Sequence, residues 1–307
     1  MSTMHDRSSA ESSARDYISR YLGPAVTLVD QTVSLYDRSL DAIAEHARPG
    51  AAAKVGVILT SRLANDIRVC SLSAQLGYGI QALALGATIF EIVGALCHVG
   101  DSESRAIEWA KHADVRHTYP RKVEEGIEAA LRSLGVFSPT MKENWRRAYT
   151  FMCTAKHANP RTSMLHGLRI DLSGFSFLCG PDPSAYGVAM SAEALYNAIF
   201  FGVPGVHAAL GHCSEESLRV PLRAEALRLS EALHGLESWF TELSKAAEEE
   251  SAHGAVTEGQ VSAIVSALDS EAKRLRHEAG RLEGETERLR LETERMRRAA
   301  SGPRCDD

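Results

Sequence analysis

The chain has 307 residues, 44% of them hydrophobic and 24% charged, with a formal net charge of −6. These values describe a soluble globular protein with room for one large or two modest domains, and they exclude a surface that is basic throughout, so nucleic acid would have to meet a local patch. The six cysteines, Cys70, Cys97, Cys153, Cys179, Cys213 and Cys305, form no C-x-x-C pair, which fits reduced, buried thiols better than a disulfide frame.

Residues 1–13 are rich in serine and charge, and the expectation there is disorder. No basic start followed by an apolar run opens the sequence, which points to a cytoplasmic protein. Apolar residues return at helical spacing from Ala14 to Tyr21 and from Pro24 to about His46, and Arg48-Pro49-Gly50 is a stop.

The stretch from Leu59 to Gly100 reads as a helical hairpin that the rest of the chain covers. Leu59, Leu63, Ile67 and Ala74 share one side of its first arm, which Gly77 and Gly79 end. The second arm is apolar nearly all round, broken by Gln81, Thr88, Glu91 and His98, as in a helix buried on every side. A membrane span is the competing reading of that arm, but Glu91 near its middle would be expensive in lipid and no basic cluster flanks it, so no membrane partner is expected.

Further helices are predicted from Asp101 or Ser102, from Pro120 to Gly135, and from Ser138-Pro139 to Asn159-Pro160. Residues 161–183, with Gly167, Gly174 and Gly180, read as a loop region with room for a small hairpin. Helix resumes near Asp182-Pro183-Ser184, with a break or kink expected at Gly202 and Pro204, and again from about Ser214 to Ser251, where Pro221 marks a kink or a first turn. The architecture expected is all-α: a bundle over 14–250 around the central hairpin, a coiled-coil helix over 257–299 and a disordered tail over 300–307.

The coiled-coil expectation rests on a heptad. Val261, Leu268, Leu275, Leu282, Leu289 and Met296 recur every seven residues. Glu271, Glu278, Glu285 and Glu292 then stand at g, and Arg276, Glu283, Arg290 and Arg297 at the following e positions. Three Glu-to-Arg steps of this kind join chains in a parallel coiled coil, so a homo-oligomer through 257–299 is expected, with an antiparallel intramolecular packing or a free helix as the alternatives.

Four polar groups fall on helices expected to be buried: Arg62, Arg68, Glu91 and His157. A buried carboxylate needs a partner, so Glu91 should pair with an arginine or accept from a hydroxyl or histidine. Either this is a polar site inside the bundle or a tie that fixes helix register. Downstream, Lys156, His157, Asn159, Arg161 and His166 lie close together at a helix-to-loop break.

With Arg62 and Arg68 on the hairpin and the apolar Thr88-Ile89-Phe90-Glu91, this stretch resembles bacterial HEPN-like, abortive-infection-type helical proteins over about residues 59–211. The resemblance implies an RNA-directed or phage-defence role. Arg161 and His166 match the Arg-to-His spacing of HEPN ribonucleases, which implies His166 as acid or base toward a ribose 2′-hydroxyl and Arg161 as stabiliser of the phosphorane. His157 joins them as a catalytic candidate, with Lys156 and Asn159 as binding residues. The same loose spacing occurs at Arg105 to His112 and at Arg228 to His234. No phosphate loop, G-x-S-x-G or H-E-x-x-H is present, and neither metal nor cofactor is expected. The competing reading is a non-catalytic oligomeric scaffold or regulator in which Arg62, Glu91 and His157 only hold the bundle together.

Overall fold

The computed structural model describes residues 4–112, 119–120, 122–157, 168–171, 174–177, 180–182, 184–243, 245 and 281. The chain divides into two compact units, Met1–Ala255 and Val256–Asp307. In the second unit Arg281 is described, helical and exposed; the heptad over 257–299 and the tail over 300–307 otherwise lie outside the described residues.

The first unit is a helical bundle. Its elements are α1 (Met4–His46), α2 (Ala51–Gln75), α3 (Gly79–Val99), α4 (Glu103–Lys111), α5 (Val123–Ser133), α6 (Pro139–Lys156), α7 (Ala185–Leu210) and α8 (Glu216–His234). One short antiparallel hairpin, β1 (Leu168–Asp171) with β2 (Gly174–Phe177), sits in the expected loop region, with Leu168 opposite Phe177 and Asp171 opposite Gly174.

The expected hairpin is α2 and α3, joined at Gly77, whose φ of 84° is the left-handed conformation that glycine adopts without strain. Helix α3 is the hub, packing on α2, α4, α5, α6 and α7. It is the one described helix long and apolar enough to span a membrane, and 61% of that apolar window is buried among its neighbours. It lies close against α5, where a Cβ added to Gly126 would stand 3.0 Å from the Gly94 Cα. Helix α7 is a second core element, lying against α1, α2, α3 and α8.

Three expectations about helix ends are corrected. Residues 1–13 were expected to be disordered, yet α1 begins at Met4 and runs without a break through Pro24. The reason is a continuous apolar stripe, with Ala14, Ile18, Leu22, Ala25, Val29, Leu35, Tyr36 and Ile43 all buried, and the Tyr78 hydroxyl donates to Glu11 Oε1 at 2.6 Å. Packing along one face outweighs the single backbone bond that Pro24 forfeits.

Of the break or kink expected at Gly202 and Pro204, the break is absent: helix α7 continues through both residues. Ile199, Phe201, Val203, Val206 and Leu210 keep it in the core, and the buried Tyr36 hydroxyl donates to Gly202 O at 2.6 Å beside the proline. The last long helix, expected to reach Ser251, ends instead at His234 with Gly235 as its cap, and helix restarts over residues 237–243.

Candidate functional site

Glu91 on α3 is a largely enclosed carboxylate, its side chain 12% exposed. It faces α6, an amphipathic helix opened by Ser138, whose side chain accepts from Met141 N at 3.1 Å, with Pro139 in the first turn. Trp145 and Met152 anchor α6 in the core. That anchoring turns Tyr149, Cys153 and Lys156, spaced four and three apart, toward the same side.

Tyr149 Oη donates to Glu91 Oε1 at 2.7 Å, and Lys156 Nζ donates to Glu91 Oε2 at 2.6 Å. Each carboxylate oxygen therefore has its own donor. Phe90 stacks on the Tyr149 ring with centroids 4.7 Å apart and meets Phe201 edge-on at 4.8 Å, so the ion pair sits against an aromatic wall.

Burial holds the Tyr149 phenol well above its ordinary pKa, aided by its hydrogen bonds to Cys153 and Glu91, so it stays protonated and donates. Burial likewise raises the Cys153 thiol, which keeps it from being the thiolate a nucleophile requires. The arrangement is a completed tie between α3 and α6. The expected hydroxyl donor to Glu91 is that of Tyr149; the cation beside it is Lys156, where an arginine was expected.

Arg62 and Arg68, expected inside the bundle, face outward. Arg62 is 63% exposed and lies 3.7 Å from Asp66 on its own helix, while Arg68 is 40% exposed and donates to both Asp37 oxygens at 2.6 Å. They fall on the outer side of α2 because Leu59, Leu63, Ala64 and Ile67 take the inner one. His157, also expected to be buried, is the exposed C-cap of α6, its N–H bonded to Cys153 O at 3.0 Å. Asn159, Arg161 and His166 lie outside the described residues.

A second polar site escaped the sequence reading. A cleft of about 430 Å³ is lined by His98, Glu108, His112, Tyr119 and Glu125 among others. Burial and the nearby Arg105 depress the pKa of His98, and burial with Glu108 raises that of Tyr119. Among the described residues no group of three or more histidine, cysteine or carboxylate side chains is placed to hold a metal ion.

Fold and site together define an α-helical bundle with an internal Glu–Tyr–Lys tie. No protein-family model, curated protein or solved structure matches the chain.

Proposed function

We propose that the protein is a non-catalytic helical scaffold or regulator of the cytoplasm that works as a homo-oligomer assembled through residues 257–299. The observation that carries this reading is the Glu91 tie. The carboxylate has a separate donor on each oxygen, and the best placed cation, Lys156, is committed to it. An acid, base or nucleophile needs a reacting atom within reach and a perturbed proton to move, whereas Glu91, Tyr149 and Lys156 are turned on one another. Arg68 is committed in the same way to Asp37, while Arg62 only approaches Asp66 at 3.7 Å. The Glu-to-Arg heptad steps of the sequence support assembly between chains.

The reading is tested by incubating the full chain with a mixed RNA pool, beside Arg161→Ala and His166→Ala. The expected result is no cleavage above a protein-free blank. Cleavage by the wild type that both variants lose, with their helicity intact, overturns it in favour of the HEPN-type ribonuclease that the sequence resembles.

A further inference from the structure

Four of the six buried side-chain nitrogen or oxygen atoms that lack a hydrogen-bond partner among the described residues lie in one neighbourhood. They are His207 Nε2, His212 Nε2, Arg219 Nε and Arg223 Nε. All belong to the last turn of α7, the α7–α8 connection or the first two turns of α8. Arg48 joins them from the α1–α2 connection, since its N–H donates to His212 O at 2.9 Å and Ser214 N donates to His46 O at 2.8 Å. A backbone bridge between Ala47 and Cys213 completes the junction.

The charges here are not balanced as they are elsewhere on the protein. Arg219 pairs with Glu216 yet keeps a buried Nε without an acceptor. Asp101 acts on His212. Among the described residues Arg223 and Arg48 make no side-chain hydrogen bond or ion pair. Burial, then Arg219 and Arg48, pull the Arg223 guanidinium below its ordinary pKa, the mark of cations held together with too little negative charge. Buried donors in such numbers cost stability unless something satisfies them.

His212 has a supporting part. It is 3% exposed, and a Cβ on Gly56 would fall 2.4 Å from its Nε2, so the ring is wedged against α2 and fixes the loop that carries Arg48. His207, Arg219, Arg223 and Arg48 are left to act on one another near the start of α8, whose first turn is already capped by the Glu215 carboxylate bonded to Ser217.

We infer that this junction is a binding site for the phosphate group of a small phosphorylated ligand, held by Arg48, Arg219 and Arg223 with His207 as a further donor. Three guanidinium groups, that of Arg219 shared with Glu216, and an imidazole N–H match the several acceptor oxygens of a phosphate monoester. A small ligand fits better than a nucleic acid because the cations gather at one helix junction instead of forming a stripe, and the chain's net charge of −6 repels a long polyanion. This inference stands apart from the scaffold reading and would supply a regulator with its signal.

The test is calorimetric titration of inorganic phosphate into the full chain at constant ionic strength, with chloride as control. Saturable binding is expected for the wild type and for Arg62→Gln, and a dissociation constant raised at least ~10-fold for Arg223→Gln and for Arg48→Gln. Arg48 is exposed, so its variant reports on binding even where Arg223→Gln were to fold poorly. Without phosphate, Arg223→Gln should unfold no earlier than the wild type, because an unpaired half-buried cation has been removed. Absence of saturable phosphate binding, or affinity unchanged in both arginine variants, overturns the site. So does tight binding of an RNA oligonucleotide that phosphate does not displace.

Discussion

Replacing Lys156 with methionine keeps the stem of the side chain and removes the ammonium that meets Glu91 Oε2 at 2.6 Å. The carboxylate, 12% exposed, would keep Tyr149 as its donor while losing its counter-charge. A hydrogen bond to a charged group is worth about 1.5–3 kcal/mol. Because Lys156 is itself 28% exposed, the expected loss is about 2 kcal/mol, or roughly 4–8 °C in the unfolding midpoint of a domain this size.

Glu91→Gln should cost less, about 1 kcal/mol, since the amide oxygen still accepts from Tyr149 and the freed ammonium reaches water. The double variant should lose at least ~0.5 kcal/mol less than the sum of the singles, as contacting residues do. Urea unfolding followed by circular dichroism reads all three, with midpoints moving and slopes unchanged. A Lys156→Met variant within ~0.5 kcal/mol of wild type, or strictly additive singles, would refute the tie.

Gly126→Ala should destabilise the bundle by about 1–3 kcal/mol, because the new methyl would stand 3.0 Å from the Gly94 Cα, a backbone atom that cannot move aside; thermal unfolding checks this. Burial depresses the pKa values of His207 and His212 below 6.5, so the unfolded chain binds their protons first. Stability should therefore be full above about pH 6.5 and fall as the pH drops below it, and His207→Gln should flatten that acid limb in urea titrations made without phosphate. The Cys70 thiol is buried and pushed up to about 12, so peptide mapping after alkylation of the native protein at pH 8 should find it unmodified while denatured protein is labelled. Rapid native labelling at Cys70 would contradict the packing between α2, α3 and α7.

The core helices were legible because their pattern is strong. The all-apolar run of α3, the 59–63–67–74 stripe of α2 and the Ser138-Pro139 start of α6 each state a period or a cap that packing then reinforces. The same local rules failed at Pro24 and Pro204. There the outcome depends on what lies opposite the helix, such as the Tyr36 hydroxyl at Gly202, and neighbours in space are not written in neighbouring residues.

The Glu91 site was half visible. A lone carboxylate in an apolar helix announces its need for a partner, but Tyr149 and Lys156 are 58 and 65 residues away in sequence, and only the pairing of α3 with α6 selects them over Arg62 and Arg68. The basic junction was hidden for the same reason. Arg48, His207, Arg219 and Arg223 come from three separate segments and form no motif in the sequence.

The most direct test of the scaffold account is the molar mass of the full chain in solution by light scattering, beside a variant carrying Leu275→Asn and Leu282→Asn. The account predicts a multiple of the 33.3 kDa chain mass for the wild type and a single chain for the variant, with unchanged helicity below residue 255. A wild-type protein that runs as a single chain, or a variant that keeps the wild-type mass, would contradict it.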